Sequence, residues 1–237
     1  MIHFVLHTHS EYSFLWNAAI PLLEKYTPSD CKIFWLSDTL LDYSLPSKFV
    51  FCKYDPNLIW SLRFKECLDL IDSEYFIYLQ EDWLLIDTID DEKITYLVEY
   101  MKDNAIEFMM SYTRDKDHFI EKSKYEGYDF VEISGHYMQP AIWGKKLFMK
   151  IIDLNIPLSE YESEMVSNIT KNSKCYAIKY TKTRDISIPT LYYPHMHAIQ
   201  NGKWTFIKYP QLKTLMESYG IDTTTRGIST NWYIDVQ

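Results

Sequence analysis

The chain has 237 residues, of which 47% are hydrophobic, and its formal net charge is −9. This composition supports a sizeable core and excludes an intrinsically disordered chain. The negative charge argues against a nucleic-acid partner, because proteins that bind nucleic acid present Lys and Arg to the phosphates. No apolar run reaches the ~18 residues of a membrane span, and residues 1–10 lack the features of a signal peptide. We therefore expect a cytoplasmic protein without a transmembrane segment.

Cysteine and glycine usage narrows the class of protein further. The four cysteines are scattered along the chain, which is typical of reduced and mostly buried thiols. None of the six glycines precedes Gly127. The N-terminal half therefore contains neither a Walker loop nor the glycine-rich fingerprint of dinucleotide-binding proteins.

In the first part of the chain, short β-type runs alternate with helical patterns. In chain order, the patterns predict a strand, a helix, two strands, a helix and a strand: Ile2–His7, Trp16–Tyr26, Lys32–Leu36, Phe49–Lys53, Asn57–Ile71 and Tyr75–Leu79. Pro21 lies inside the first helical pattern, so this helix is kinked or begins there. Asn57 is placed to cap the second helix. The nearly all-apolar run Tyr75–Leu79 is typical of a central parallel strand that is covered on both faces.

The same alternation continues in the second part of the chain. The patterns predict a helix, a strand, a polar surface segment, two short helices, a strand and a helix: Asp90–Lys102, Glu107–Tyr112, Thr113–Gly127, Leu147–Ile152, Glu162–Ile169, Cys175–Tyr180 and Pro210–Tyr219. Such alternation predicts an α/β fold, a three-layer sandwich around a mainly parallel sheet. We expect a single domain over residues 1–237, with a nucleotide-binding half at 1–112 and an acceptor and catalytic half at 113–237.

Polar residues follow four of the predicted strands. In α/β sheets, ligands bind beyond the carboxyl ends of the strands, so we expect these residues to line one cleft: His7-Thr8-His9, Ser37-Asp38, Asp55 and Glu81-Asp82. Asp38 and Asp55 are candidates for a nucleobase N–H or a ribose hydroxyl. The alternative for each is a helix-cap or turn aspartate.

Glu81 and Asp82 are the most informative pair. Adjacent carboxylates directly after a buried strand repel each other and resist desolvation. A divalent cation relieves this repulsion, and Mg²⁺ and Mn²⁺ prefer carboxylate oxygens together with water and substrate phosphates. The alternative is an ordinary acidic turn that ends a strand.

Two stretches of the sequence resemble a known family. The run from Tyr75 to Trp83 (YFIYLQEDW) resembles the strand and D-x-D motif of A-type-fold glycosyltransferases, with Q-E-D in place of D-x-D. Residues 138–143 (MQPAIW) and 161–164 (YESE) are similar to a Q-P-A-I-W … W-E-x-E pattern in surface-glycan glycosyltransferases of microbes and large viruses, with Tyr161 in place of tryptophan. The stretch Gly202-Lys203-Trp204 also resembles that group.

The resemblance implies a nucleotide-diphosphate sugar as donor, a glycan or other hydroxyl acceptor, and Mn²⁺ or Mg²⁺ as cofactor. It implies Asp82 and His195 as metal ligands, although His195 and His197 cannot both be assigned. Glu81 is expected to reach the ribose or the donor sugar, and Thr8, His9, Asp38, Asp55 and Arg63 are expected to line the rest of the nucleotide pocket. Lys203 and Arg226 are candidates for the diphosphate, and the alternative for both is an ordinary surface cation. Inverting transfer also needs a carboxylate base. Glu164 is the first candidate and Glu162 the second, and the alternative for both is a solvated helix-start acid.

The N-terminus supports a competing interpretation. His7-Thr8-His9-Ser10 resembles the first metal-binding motif of the polymerase-and-histidinol-phosphatase phosphoesterases, which would require a seven-stranded barrel. The second motif of that family would fall near Ser37-Asp38-Thr39, where its histidine is missing. A third interpretation is a non-catalytic glycan- or nucleotide-binding module, because Q-E-D departs from D-x-D.

Overall fold

The computed structural model describes residues 2–111, 118–125, 128–133, 140–160, 168–169, 171–180 and 192–230. For Glu66, residues 118–122 and Tyr180, only the backbone is described. The predicted helix Glu162–Ile169 therefore lies largely outside the described residues.

A mixed sheet forms the centre of the fold. The strands in the described part of the chain are β1 (His3–His7), β2 (Ile33–Ser37), β3 (Phe49–Lys53), β4 (Tyr75–Gln80), β5 (Trp83–Leu85), β6 (Phe108–Met110), β7 (His118–Lys122), β8 (Tyr128–Glu132), β9 (Ala141–Gly144), β10 (Cys175–Tyr180), β11 (His195–His197), β12 (Ile199–Gln200) and β13 (Lys203–Trp204). Nine of these described strands form one sheet in the order β3-β2-β1-β4-β9-β6-β10-β8-β7. Two small sheets, β11-β5 and β12-β13, complete the pairing.

Most strands of the large sheet run in one direction. β1 pairs in parallel with β2 and β4, and β2 pairs in parallel with β3. β9 is antiparallel to both of its neighbours, β4 and β6, so β6 runs in the same direction as β4. β10 is parallel to β6. β8 is antiparallel to both of its neighbours, β10 and β7, so β7 runs in the same direction as β10. Only β8 and β9 of the nine strands therefore run in the opposite direction. The predicted mainly parallel sheet is thus confirmed.

Helices cover both faces of the sheet. They are α1 (Trp16–Tyr26), α2 (Trp60–Arg63), α3 (Lys65–Leu70), α4 (Asp91–Asp103), α5 (Lys145–Ile152) and α6 (Pro210–Ser218). Side chains of α1, α4 and α6 pack with Phe4 and Leu6 of β1 in one core cluster. Side chains of α2, α3 and α5 pack with Val5 in the other. Because successive strand residues point to opposite faces, these two clusters are the two sides of a three-layer sandwich, as predicted.

The helix predicted over Asn57–Ile71 is wrong in its extent. The structure has two short helices that meet at Phe64, a fully buried residue whose ring packs against His7, Trp60, Tyr78 and Phe148. Asn57 caps neither helix. Its backbone and side-chain amides instead donate to Asp55 Oδ1 in a local turn. Pro21, in contrast, lies inside a helix that begins at Trp16 and continues to Tyr26.

The sequence patterns missed seven of the described strands. β5, β11, β12 and β13 have only two or three residues each, which is too short for a periodicity to register. β8 and β9 were missed as well, and the segment Thr113–Gly127, predicted to be a polar surface excursion, contains β7. β9 carries the residues Ala141, Ile142 and Trp143 of the Q-P-A-I-W stretch, all of them buried.

Two further sequence expectations concern the whole fold. All four cysteines are free and buried, as expected. None of the helices in the described residues has the length and apolarity that crossing a membrane requires.

Candidate functional site

The ends of β1 and β4 place the candidate site in the fold. The two strands pair in parallel with His7 opposite Gln80, so Thr8 and the Glu81-Asp82 pair leave neighbouring strand ends at the carboxyl edge of the sheet. The chain continues from β1 to β2 on one side, whereas β4 lies on the other side of β1. This is a topological switch point, where open α/β sheets form a crevice that binds ligands.

Glu81 is a buried carboxyl group. Its side chain contacts the Thr8 hydroxyl, which in turn accepts a hydrogen bond from Trp16 Nε1 at 2.8 Å. Burial raises the pKa of Glu81 well above its ordinary value, the charge of Asp82 raises it further, and the hydrogen bond from Thr8 offsets only part of this. The predicted repulsion between the two acids is therefore present in the folded chain.

Asp82 is held by the β5-β11 strand pair. Its Oδ2 atom lies 3.0 Å from His197 Nε2, and its backbone carbonyl accepts from the Ala198 amide at 2.6 Å. The imidazole of His197 stacks on the indole of Trp83, with ring centroids 4.1 Å apart and nearly parallel planes. The other carboxylate atom, Oδ1, is buried and has no hydrogen-bond partner among the described residues. A buried carboxylate oxygen of this kind is able to accept a hydrogen bond or to coordinate a cation.

His195 occupies a different environment from His197. Its Nδ1 atom lies 2.6 Å from the carbonyl oxygen of Tyr193, and its ring meets the edge of Trp83 at 4.9 Å. Burial lowers the pKa of His195 to about 4, and the charge of His197 adds to this effect. The histidine in contact with Asp82 is therefore His197, not His195.

Asp38 and His9 lie together at the end of β2. Asp38 accepts hydrogen bonds from the Ser10 amide at 2.8 Å and the Ser10 hydroxyl at 2.6 Å, and His9 Nε2 lies 3.7 Å from the same carboxylate. Burial acts to raise the pKa of Asp38, but the hydrogen bonds from Ser10 outweigh it and the net pKa is lowered. His9 also caps the 3₁₀ turn that starts at Ser10. Both residues thus stabilise the turn after β1, and their contact with a nucleotide stays a prediction.

Asp55 and Arg63 are tied to the loop after β3. Asp55 binds the two amide groups of Asn57, while Arg63 donates to the carbonyls of Leu58 and Pro56. The guanidinium of Arg63 also lies over the ring of Tyr54 at 4.9 Å. These contacts favour the turn role for Asp55 that the sequence left as an alternative.

Tyr12, which the sequence-based site did not include, lies near the acid pair, and Arg226 lies beside Tyr12. Burial raises the pKa of Tyr12, and the negative charges of Glu81 and Asp82 raise it further, while the positive charge of Arg226 acts in the opposite direction. The guanidinium of Arg226 lies 4.1 Å from the ring centroid of Phe14 and 5.8 Å from that of Tyr12. That Tyr12 lies between the acids and Arg226 could not be inferred from sequence, because these residues are far apart along the chain. Lys203 is exposed on β13, and its side chain passes near Gly227.

Both candidate bases, Glu164 and Glu162, lie outside the described residues. Among the residues that are described, no group of three or more His, Cys, Asp or Glu side chains is arranged to hold a metal ion. A cation that is completed by substrate phosphates and water needs only one or two protein carboxylates. The free Oδ1 of Asp82, beside the carboxyl group of Glu81, fits that smaller requirement.

The phosphoesterase interpretation does not agree with this structure. The large sheet is open and nine-stranded in the described part of the chain, not a seven-stranded barrel. His7 is buried between the rings of Tyr54 and Phe64, where burial and the charges of Arg63 and His9 lower its pKa to about 3.

Comparisons with known proteins assign no family. No protein-family model matches the chain, and no curated protein matches it. Among solved structures, the bifunctional IspDF from Campylobacter jejuni is similar at 17% identity and a TM-score of 0.45, over 76% of this chain and 49% of that one. A cytidylyltransferase from Leptospira borgpetersenii is similar at 13% identity and a TM-score of 0.48, over 94% of this chain and 98% of that one. TarS from S. aureus, in a complex with UDP-GlcNAc, is similar at 11% identity and a TM-score of 0.46, over 78% of this chain and 59% of that one. The chain thus spans about half to three fifths of IspDF and TarS, and these similarities establish no activity.

Proposed function

We propose that the chain is a glycosyltransferase that moves a sugar from a nucleotide-diphosphate donor to a hydroxyl group of a glycan or another acceptor. One observation carries this proposal. A mutually repelling acid pair, with Glu81 buried and Asp82 half-buried, lies at the switch point of the sheet, and the Oδ1 atom of Asp82 is buried without a partner among the described residues. A diphosphate with its cation is the ligand whose charges suit such a place.

The cation in this proposal is Mn²⁺ or Mg²⁺. Asp82 would hold it through Oδ1, with Glu81 beside it, while His197 fixes the orientation of the Asp82 carboxylate through Oδ2. When bound, the ion would neutralise the diphosphate leaving group. His197, and not His195, is the residue that we assign to the support of this site.

Positive side chains complete the donor pocket. Arg226 lies over Phe14 and beside Tyr12, which in turn lies near the acid pair, and we assign Arg226 to the diphosphate together with Lys203. An arginine already ordered on an aromatic ring loses little side-chain entropy when it binds a phosphate. Thr8 and His9, at the end of β1, are the nearest candidates for the nucleoside. Asp38, Asp55 and Arg63 remain candidates there as well, and these three, like Thr8 and His9, already have local hydrogen-bond partners.

The acceptor hydroxyl needs a base. Glu164 remains the first candidate and Glu162 the second, on the sequence pattern alone. A base takes the acceptor proton as the new glycosidic bond forms, so Glu164→Gln should lower kcat by orders of magnitude and leave donor binding intact. An unchanged kcat would remove Glu164 from this role.

The test is the release of nucleoside diphosphate from a panel of UDP- and GDP-sugars, with and without Mn²⁺. We expect Mn²⁺-dependent release by the full chain, and a loss of roughly a hundredfold or more in Asp82→Asn. Asp87→Asn is the matched control, because Asp87 is an exposed aspartate just after β5. Donor binding without release from any donor would favour the non-catalytic module. Hydrolysis of phosphomonoesters instead of sugar nucleotides would refute the proposal.

A further inference from the structure

The segment that follows β10 has an unusual charge. Asp and Glu account for 33 of the 237 residues, yet none occurs between Asp185 and Glu217. The same segment contains Lys203, Lys208 and Lys213. A chain with a net charge of −9 therefore carries a locally basic stretch, part of which lies next to the candidate site.

Two large apolar side chains protrude near these lysines. Ile207 is 56% exposed and Ile228 is 49% exposed. Ile228 lies in a backbone bridge with Trp204, whose amide and carbonyl bond to Gly227 and Ser229. Ile207 follows Trp204 by three residues, which places it within about 11 Å of Trp204. We call Ile207, Lys208 and Ile228 the basic apolar surface, which Lys203 and Arg226 border.

Buried aromatic side chains support this surface from below. Trp204 is fully buried and stacks on Phe206, with ring centroids 5.1 Å apart. The strands β12 and β13 are joined through Asn201 and Gly202, both with positive φ, as in a tight hairpin turn. The basic apolar surface is therefore built on turns that are anchored to buried aromatic side chains.

The basic apolar surface also adjoins the candidate site. Lys203 and Arg226, which we assign to the diphosphate, border this surface, and the Ala198 amide just before β12 donates to the backbone carbonyl of Asp82. A partner bound here would lie close to the acid pair.

We propose that the basic apolar surface docks on a bilayer that contains anionic lipids, and, resting on the proposed function, that the acceptor hydroxyl is carried on that membrane. Apolar side chains flanked by Lys and Arg bind at such an interface through insertion and attraction to lipid phosphates. Negative charges elsewhere on the chain weaken this attraction to anionic lipids little, because charges more than ~8 Å away are largely screened at physiological salt.

Co-sedimentation with vesicles tests the docking without any donor or acceptor. We expect the chain to bind vesicles of phosphatidylcholine with phosphatidylglycerol, and to bind vesicles of phosphatidylcholine alone far less. The Ile207→Ser/Ile228→Ser double variant should lose at least about tenfold in vesicle affinity, and Lys208→Gln about fivefold. Leu70→Ser is the matched control, because Leu70 is 57% exposed on α3, which packs on the other face of the sheet.

Each outcome decides the docking proposal separately from the proposed function. No binding to either vesicle, equal binding to both, or equal binding by the double variant and Leu70→Ser would overturn it. The double variant should still release nucleoside diphosphate at the wild-type rate in solution, which shows that it is folded. Vesicle binding without release of nucleotide from any donor would leave the docking intact and remove the glycosyltransferase proposal.

Discussion

The Oδ2 atom of Asp82 lies 3.0 Å from the Nε2 atom of His197, although 115 residues separate them in the chain. The antiparallel pairing of β5 with β11 sets Trp83 opposite His197, and the two rings stack. The carboxylate of Asp82 is thereby held in one orientation, with Oδ1 left without a partner among the described residues. We infer that His197 positions Asp82 for a cation.

Replacement of His197 tests this positioning role. His197→Phe keeps a ring to stack on Trp83 but removes the hydrogen bond to Asp82. We expect a 10- to 100-fold higher Mn²⁺ concentration for half-maximal activity, as is typical when a supporting contact of a metal ligand is lost. Titration of activity with Mn²⁺ measures the effect. His195→Phe is the comparison, and if that variant shows the loss instead, His195 is the metal-associated histidine.

Removal of the Arg226 charge should weaken donor binding more than turnover. Arg226→Gln removes a cation that we assign to the diphosphate in both the bound donor and the transition state. The KM for the donor should therefore rise about tenfold, with kcat changed much less. Steady-state kinetics with Lys213→Gln as the surface control gives the comparison, because Lys213 pairs with Glu217 on α6. An unchanged KM in Arg226→Gln would place Arg226 outside the donor pocket.

In the absence of a divalent cation, Glu81→Gln should have a higher free energy of unfolding than the wild type. Because the pKa of Glu81 is raised in the folded state, the unfolded chain releases its proton first as the pH increases. Above the unfolded pKa near 4.5, the wild type therefore loses stability relative to Glu81→Gln until the folded pKa is reached. Urea unfolding at several pH values measures this widening difference, with the exposed Glu24→Gln as control. A less stable Glu81→Gln at neutral pH would show that the carboxylate is compensated by the protein itself.

Acid should destabilise the fold through His7. Burial lowers the pKa of His7 from 6.5 to about 3. Between pH 3 and pH 6.5 the unfolded chain therefore binds a proton at His7 that the folded chain does not bind. Stability is present above pH 6.5 and declines as the pH falls towards 3, with a slope that approaches about 1.4 kcal/mol per pH unit for this group. His7→Leu should flatten that slope in unfolding measurements between these pH values. A slope identical to that of the wild type would mean that His7 is protonated in the folded chain.

The sequence predicted those parts of the fold that a local residue pattern determines. Phe49–Lys53 and Cys175–Tyr180 are apolar β-type runs, and α1 is an apolar helical stripe, so each is recognisable alone. The break at Phe64 was not recognisable, because it depends on packing against Phe148 from a distant helix. The antiparallel strand β9 was missed because its four residues form a short buried run, which periodicity cannot classify.

The sequence predicted only part of the candidate site. The carboxyl-end rule brought Thr8 and the Glu81-Asp82 pair together, and the structure places them side by side. It could not distinguish a ligand-binding aspartate from a turn aspartate, which is why Asp55 entered the predicted site. The sequence offered both His195 and His197, and only the pairing of β5 with β11 shows that His197 contacts Asp82. Tyr12 was not a candidate, because its approach to the acids depends on tertiary packing.

Thermal unfolding of wild type and Asp82→Asn, with UDP or GDP present and with or without Mn²⁺, tests the central claim most directly. The account predicts that Mn²⁺ and a nucleoside diphosphate together raise the Tm of the wild type more than either alone, because the ligand binds only the folded state. It also predicts that Asp82→Asn loses this joint effect. The same joint stabilisation in Asp82→Asn, or none in the wild type with either nucleotide, would contradict a cation-diphosphate site at the end of β4.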